Sequence, residues 1–509
     1  MTSPKPITIV LINPPVAKVC EPPASIARLA GALEDNGVAC ELLDLNLICM
    51  VGQFDLSFKP DDRWSRRAYK NRHTNITEIR SSTLYQSPDR YQRVVRDLGR
   101  VLSMAGKQSG CDISLANFSD PDKSPLSSSD LLESAEKFAV NHFFPLFKRI
   151  LKRTIDNHRP TSVGISFSYL SQALTGFAVA GFIRRHYPHI QIIAGGGLIS
   201  SWMSSPTWND PFKGLIDHCI SGPGERSLLS LLGKEADEDL GRFNFDAFEQ
   251  TTYLAPGAIL PYVAAHGCYW KKCRFCPDFA EDSCYATKPV TTVIDEIHEL
   301  VTRYNPALLH LLDNAISPAL LKKLAASAPV VAWYGFARFE KDLEDLNFCR
   351  ALKRSGCTML KLGLESGSQQ VLDKLNKGIN LDRVAKILDN LYRVGIGTYV
   401  YLLFGTPAET EIEALKTMDF VCSHADAITF FNLAIFNMPV CSPEAVHLEN
   451  RFSDGDLSLY CNFTHPAGWD RKAVRTFLQK RFRKDARIRK IDQRNPGVFG
   501  SNHAPFFVR

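Results

Sequence analysis

The chain opens on Ile7–Ile12, a nearly continuous apolar, β-branched run of the kind that forms a parallel strand buried on both faces. It breaks at Asn13-Pro14-Pro15. Ile26, Leu29, Ala30 and Leu33 then recur at helical spacing, which predicts a helix over about Pro23–Asn36, stopped by Gly37. Val38–Leu43, ending in Asp44, reads as a second strand, so the start of the chain is a βαβ unit. From about Ile48 to Pro160 the pattern is irregular. It has helix-like stretches (Arg90–Met104, Asp130–Asp156) around a polar, turn-rich one (Ser119–Ser129), and an inserted helical layer without strands is expected. The sheet resumes with Ser162–Ser168, a helix at Ser171–His186, Ile190–Ala194 running into Gly195-Gly196-Gly197, and Ile216–Ser221. Gly222-Pro-Gly-Glu225 and a helix at Arg226–Leu232 follow.

After a polar, acidic linker at about 233–260, a second series begins. Its predicted strands are Tyr262–Ala265, Ala307–Leu312, Val330–Phe336, Met359–Leu364, Tyr399–Phe404 and Ala427–Ala434, separated by helices such as Val290–Tyr304, Leu381–Val394 and Glu409–His424. Strands alternating with helices in this way predict a full or partial parallel barrel. The expected fold class is therefore α/β. A doubly wound Rossmann-like domain spans 1–232, with the insertion at 48–160. The barrel-like core spans 261–436, and a mixed C-terminal extension covers 437–509.

Composition narrows the class. A hydrophobic fraction of 45% and a charged fraction of 22% over 509 residues exclude wholesale disorder and a small disulfide scaffold. No apolar run approaches the roughly 18 residues that cross a bilayer, and Met1-Thr-Ser-Pro-Lys-Pro leads directly into the first strand. A soluble, cytoplasmic protein without a membrane partner is expected. The 14 cysteines are scattered, which fits reduced thiols or metal ligands better than disulfides. Among them Cys284, Cys357, Cys422 and Cys441 read as small buried hydrophobes. Much of the net charge of +6 comes from Arg471 to Lys490, where ten Lys and Arg face the single acid Asp485. Val474, Phe477, Leu478 and Phe482 give that segment an apolar helical stripe, so a solvated face is favoured there over a nucleic-acid contact.

The chemistry concentrates in His266-Gly-Cys268-Tyr-Trp-Lys-Lys-Cys273-Arg-Phe-Cys276-Pro, a loop after the first strand of the second series. Three thiols within nine residues point to a metal or a cluster. A structural zinc site wants four closed ligands, so Cys284 or His266 would have to complete it. A cubane iron–sulfur cluster usually takes four cysteines; with three, one iron keeps an open position. The trio alone leaves the two equally open.

Gly363-Leu-Glu365-Ser-Gly-Ser368 and Phe404-Gly405-Thr-Pro-Ala-Glu409-Thr, each ending a strand, tip the balance. With the cysteine loop they resemble the radical S-adenosylmethionine (SAM) superfamily, in its elongator-subunit and methylthiotransferase-like branch, over about Tyr262–Ala434. One departure is the four residues between Cys268 and Cys273, where three is common. The resemblance implies that Cys268, Cys273 and Cys276 ligate a [4Fe–4S] cluster whose open iron chelates SAM. It implies that Phe275 lies against the adenine, that Asp313 (with Asn314) receives the amino group, and that Arg338 meets the carboxylate. Glu365 and Ser366 then contact the ribose, and Gly405 lets the backbone approach the adenine. An external low-potential electron donor such as flavodoxin or ferredoxin is implied as well.

Asn13-Pro14-Pro15, Glu21-Pro-Pro23, Val163–Ser168 and Gly222-Pro-Gly-Glu225 resemble the cobalamin-binding domain that precedes the radical domain in the cobalamin-dependent class. The contacts this implies are Asn13, Pro14, Pro15, Glu21, Ser166, Ser168, Tyr169, Gly195, Gly196, Gly222, Gly224 and Glu225. The D-x-H-x-x-G motif that supplies a histidine to cobalt elsewhere is absent after the first strand. The expected activity is reductive cleavage of SAM to a 5′-deoxyadenosyl radical that abstracts hydrogen from a small-molecule or peptide substrate, with methyl transfer through methylcobalamin. Two alternatives stay open: radical chemistry without cobalamin or without methyl transfer, and a non-catalytic zinc protein binding nucleic acid, which leaves Glu365 and Gly405 unexplained. Ser501-Asn502-His503 is a weaker candidate for closing over the site.

Overall fold

The computed structural model describes residues 8–235, 241–327, 331–446, 450–452, 455–498 and 502–508. Ile7, Val330, Ser501 and part of the linker, singled out above, lie outside them. The chain forms two compact units, one of Met1–Ala258 with Asp454–Leu459 and one of Ile259–Ser453 with Tyr460–Arg509.

The first unit is built on a parallel five-stranded sheet. Its strands are β1 (Ile9–Ile12), β2 (Cys40–Leu43), β3 (Ser162–Ser166), β4 (Gln191–Gly195) and β5 (His218–Cys219), in the order β2-β1-β3-β4-β5. Flanked by β2 and β3, β1 is buried at all four positions, as its unbroken Ile-Val-Leu-Ile run requires. Helix α1 (Ala24–Asp35) starts beyond Pro23, and Gly37 takes the left-handed conformation (φ 69°) that ends its turn. Between β2 and β3 lie helices including Pro88–Lys107, Ser128–Glu136 and Phe144–His158. This insertion is not strandless as expected: Asp112–Ile113 and Phe118–Ser119 pair antiparallel, with Ile113 and Phe118 buried. Two-residue strands are too short to show alternation. The run expected over Asp130–Asp156 is two helices, parted by a 3-10 turn at Phe138–Val140 and restarted at Phe144-Pro145.

The second unit carries a six-stranded parallel sheet of β6 (Ile259–Tyr262), β7 (Leu308–Leu311), β8 (Trp333–Ala337), β9 (Cys357–Glu365), β10 (Gly397–Phe404) and β11 (Phe430–Ile435). Every strand pairs with its neighbours in sequence, and β6 and β11 are the two edges. A helix follows each of the first five, so the sheet is a partial (β/α)6 barrel. Strand β6 begins three residues earlier than the pattern predicts and contains Pro261, which an edge strand tolerates. Ala265–His266 leaves the sheet to pair antiparallel with Ala286–Thr287. A small antiparallel sheet (Met438–Pro439, Tyr460–Phe463, Asn450–Phe452) and helices α2 (Arg471–Lys480) and α3 (Ala486–Arg494) complete the unit. No helix among the described residues is long and apolar enough to cross a membrane.

Candidate functional site

In a parallel sheet of this kind, ligands meet the loops that leave the carboxyl ends of the strands. The thiol loop is one of these. Gly267 turns the chain into it at φ 70°, where a Cβ would stand 2.6 Å from the Cys284 carbonyl oxygen. Cys273 is buried and Cys268 and Cys276 are half-buried, all three as free thiols. Cys284, expected to be a buried hydrophobe, is exposed, and Cys441 is half-buried; neither belongs to a periodic element whose apolar face would have drawn it inward.

The loop is fastened to the ends of β8 and β9. Trp270 lies against Gly378, where a Cβ would stand 2.1 Å from the indole, and donates from Nε1 to the Asn376 carbonyl at 3.2 Å. Arg338, just past β8, places its guanidinium 4.2 Å from the Trp270 ring centroid. It donates from Nη2 to the Lys377 carbonyl at 2.5 Å and from Nε to Glu340 Oε1 at 3.3 Å. Its Nη1 stands 3.9 Å from Cys273 Sγ. Tyr269 donates to the same Glu340 oxygen at 2.7 Å. Lys377 Nζ donates to Glu365 Oε1 at 2.8 Å and lies 5.4 Å from the Phe275 ring centroid.

Burial pushes the Cys273 thiol up, against the pull of Lys377 and Arg338, which favour its thiolate. Burial, with Asp278 beside it, pushes Cys276 up to about 12. Among the described residues no three His, Cys, Asp or Glu side chains converge on a single ion position. The thiols are instead spaced along the loop, and a cubane takes each thiolate at a separate iron corner. Three unbridged thiols with two cations beside them suit an anionic iron–sulfur centre in donor chemistry.

Glu365 ends β9 with φ 66°, immediately after the register against β10 shifts between Gly363 and Glu365. That bulge turns the carboxylate toward Lys377. Ser366 is fully buried; its Oγ accepts from the Ser368 N–H at 3.1 Å and lies 3.2 Å from Thr417 Oγ1. Asp313 accepts from the Ala264 N–H at 3.2 Å, tying the ends of β6 and β7, and Asn314 donates to Asp278 at 2.6 Å. Gly405 has φ 79° and donates its N–H to Glu409 Oε2 at 2.6 Å, an oxygen that also accepts from Trp469 Nε1 at 2.9 Å. Burial pushes Glu409 up to about 7 despite these bonds. Deeper in the sheet, Lys361 Nζ lies 2.9 Å from His310 Nε2, and the His310 ring stacks on Tyr334 with centroids 4.2 Å apart.

His503 does not reach the strand-end loops. Its ring stacks on Tyr399, early in β10, with centroids 4.5 Å apart, and Phe507 packs against Gly397 at the start of that strand. The C-terminal segment thus seals the amino-terminal end of the sheet; a lone histidine carries no sequence signal for which end it joins.

In the first unit, Asn13 donates to Asp44 Oδ1 at 3.0 Å and accepts from Gln172 Nε2 at 2.9 Å, while Pro14 offers its carbonyl to the same amide at 2.8 Å. Gln172 Oε1 accepts from the N–H groups of Ser168 and Tyr169 at 2.8 and 3.1 Å, so one amide clamps the loops after β1 and β3. Glu21 pairs with Lys18, Ser166 with Ser25 at 2.8 Å, and Glu225 with Arg28 at 2.6 Å. Asn13, Pro14, Pro15, Glu21, Ser166 and Glu225 are buried. Ser168, Tyr169, Gly195, Gly196, Gly222 and Gly224 reach the surface. At Gly196, φ is 101° and a Cβ would stand 2.5 Å from the Phe167 carbonyl oxygen.

Residues 340–421 match the sequence profile of the radical SAM superfamily. The chain carries a radical SAM domain. The matched stretch includes Glu365, Ser366, Gly405 and Glu409, and lies downstream of the thiol loop. An uncharacterized methyltransferase of Pyrococcus horikoshii is 23% identical over 41% of this chain and 50% of its own length. The tryptophan 2-C-methyltransferase of Streptomyces laurentii is 25% identical over 37% and 34%. The chain thus spans half or less of the length of these curated relatives. The radical SAM methyltransferase TsrM of Kitasatospora setae, solved with tryptophan and a SAM analogue, superposes with a TM-score of 0.57 at 15% identity, covering 97% of this chain and 90% of that one. Solved with cobalamin and a [4Fe–4S] cluster, the same enzyme gives 0.52 at 16% identity, covering 88% and 81%. The fold is therefore shared along nearly the whole chain.

Within the second unit the structure brings Cys273, Phe275, Arg338 and Glu365 together at adjoining strand ends, and places Asp313 and Gly405 at other ends of the same sheet. Sequence reasoning missed Lys377, Trp270, Tyr269 and Glu340. The one sequence signal for Lys377 is its place before Gly378, a turn residue that takes φ 68°.

Proposed function

We propose that this is a cobalamin-dependent radical SAM enzyme. The [4Fe–4S] cluster would be held by Cys268, Cys273 and Cys276, and cobalamin by the strand-end loops of the first unit. The observation that carries the reading is the free thiol loop pinned beside Arg338, Lys377 and Glu365 at strand ends of a six-stranded parallel sheet. Bound there, the cluster supplies one-electron reduction of SAM, and cobalamin supplies a methyl carrier.

The chain's own residues have separable tasks in this reading. Arg338 and Lys377 offset the negative charge of the thiolates and of the SAM carboxylate. Glu365, with Oε1 on Lys377, directs its other oxygen to a ribose hydroxyl. Phe275 and the Gly405 backbone flank the adenine, and Asp313 with Asn314 serves the amino group. In the first unit, Ser168, Gly195, Gly196, Gly222 and Gly224 present backbone to the corrin, while Asn13, Pro14, Pro15, Glu21, Ser166 and Glu225 shape the crevice and Tyr169 stands at its rim. Methyl transfer to a small-molecule or peptide substrate is supported by the methyltransferase names of the relatives. A cytoplasmic location and an external low-potential electron donor complete the reading.

Protein purified without oxygen from cells given hydroxocobalamin should hold about four irons and near-stoichiometric corrin. The variant with Cys268, Cys273 and Cys276 all replaced by Ala should lose the iron and SAM cleavage. SAM cleavage that survived in that variant would sink the reading. Iron without corrin would leave a radical SAM enzyme whose first unit is a scaffold.

A further inference from the structure

The segment from Arg471 to Lys490 has no task in the reading above, yet its charge is lopsided. All ten of its Lys and Arg residues are exposed. Val474, Phe477 and Leu478 of α2, Phe482 of the turn after it and Ile488 of α3 form the opposite, buried side of the segment. Arg481 pairs with Glu411 at 2.7 Å and Arg487 with Asp485 at 3.1 Å. The other eight make no ion pair with a carboxylate among the described residues. A merely solvated helical face usually mixes signs along its length; this one holds a single sign, a field that attracts an acidic surface.

The patch begins beside the thiol loop. Arg471 donates from Nη1 to Asn437 Oδ1 at 2.5 Å and to the Phe436 carbonyl at 3.4 Å. Phe436 and Met438 form the apolar cluster against which Phe275, the residue before Cys276, is packed. Val474, one turn further on, stands 3.1 Å from where a Cβ on Gly405 would be. The amino-terminal end of α2 is therefore one layer of side chains from the thiol loop. Nothing in the segment favours nucleic acid beyond charge: none of its aromatic residues is exposed to stack on a base.

We infer that the exposed face of α2 and α3 is the docking surface for an acidic one-electron carrier protein. This rests on the radical SAM reading. In the transfer the carrier is oxidised by one electron, the iron–sulfur centre is reduced by one, and no bond forms or breaks between the two proteins.

The test uses the full holoprotein and flavodoxin, an acidic flavin protein, as the probe. In K472E/R475E/K480E, which touches none of the proposed site residues, flavodoxin affinity at low salt should fall by about tenfold or more. Wild-type affinity should fall steeply with added salt. SAM cleavage driven by dithionite, which needs no docking, should be unchanged. The control K152E/R153E, a charge reversal on an exposed helix of the first unit, should bind flavodoxin as wild type does. Equal affinity of the triple variant and the wild type would overturn the assignment. So would a duplex oligonucleotide that binds these residues more tightly than flavodoxin does and displaces it. Wild-type holoprotein that failed to cleave SAM with dithionite would break the enzymatic reading instead, and the affinity measurement would still locate the surface.

Discussion

Lys377 and Glu365 form a pair with both side chains nearly buried, at 9% and 11% exposure. Removing one partner strands the other charge, so Lys377→Met should cost about 3–5 kcal/mol in a denaturant titration. It should also lower SAM affinity if Glu365 holds the ribose. Gly405→Ala forces a left-handed residue and a close contact with Val474; a loss of about 1–2 kcal/mol is expected. Glu409 gives a pH signature. Its folded value of about 7 lies above the ordinary 4.5, so between the two the folded protein holds a proton that the unfolded chain has released. The stability this contributes is full below about pH 4.5 and lost as pH rises through 7. The melting temperature of Glu409→Gln should therefore decline less than that of the wild type between pH 5 and pH 8. Parallel profiles would mean that Glu409 is not the group responsible. At this scale the sequence was legible where chemistry is local: three cysteines in one loop, and a glycine that ends a strand. It was opaque for Lys377 and Trp270, whose partners are contributed by distant turns and show no spacing of their own.

Most of the secondary elements could be read from the chain because their patterns are strong. β1 is four consecutive apolar residues, and the strands of the second sheet alternate with amphipathic helices. The failures share a cause. The Asp112–Ile113 hairpin, the shift of β6 by three residues and the split of the helix before Phe144 all turn on two or three residues, fewer than a period needs. Helix α2 also shows how a local rule and a charge requirement conflict. Its first turn carries Arg471 and Lys472, cations at the positive end of the helix dipole, and Asp470 offsets them by accepting from the Ala473 N–H at 2.8 Å. Asp470→Ala should cost about 1 kcal/mol, read as a lower denaturation midpoint. If Arg471 then loosens from Asn437, flavodoxin binding should weaken with it.

The molecule as a whole combines two parallel sheets in one chain, and the reading assigns each a different cofactor. A chain starting at Ile259 should keep iron–sulfur colour and lose corrin; corrin retained in it would refute the assignment of cobalamin to the first unit. The strand order of the second unit also has a consequence for how it is made. Each of its six strands hydrogen-bonds only to the strand before or after it in sequence, so every pairing closes a single connection of one or two helices with their turns. Such short-range closure keeps contact order low for a parallel sheet. The growing polypeptide can add one strand at a time at the ribosome's exit, from β6 onward, without waiting for later strands. The segment with His503 and Phe507 emerges after β11 and so caps the bottom of a sheet that is already assembled.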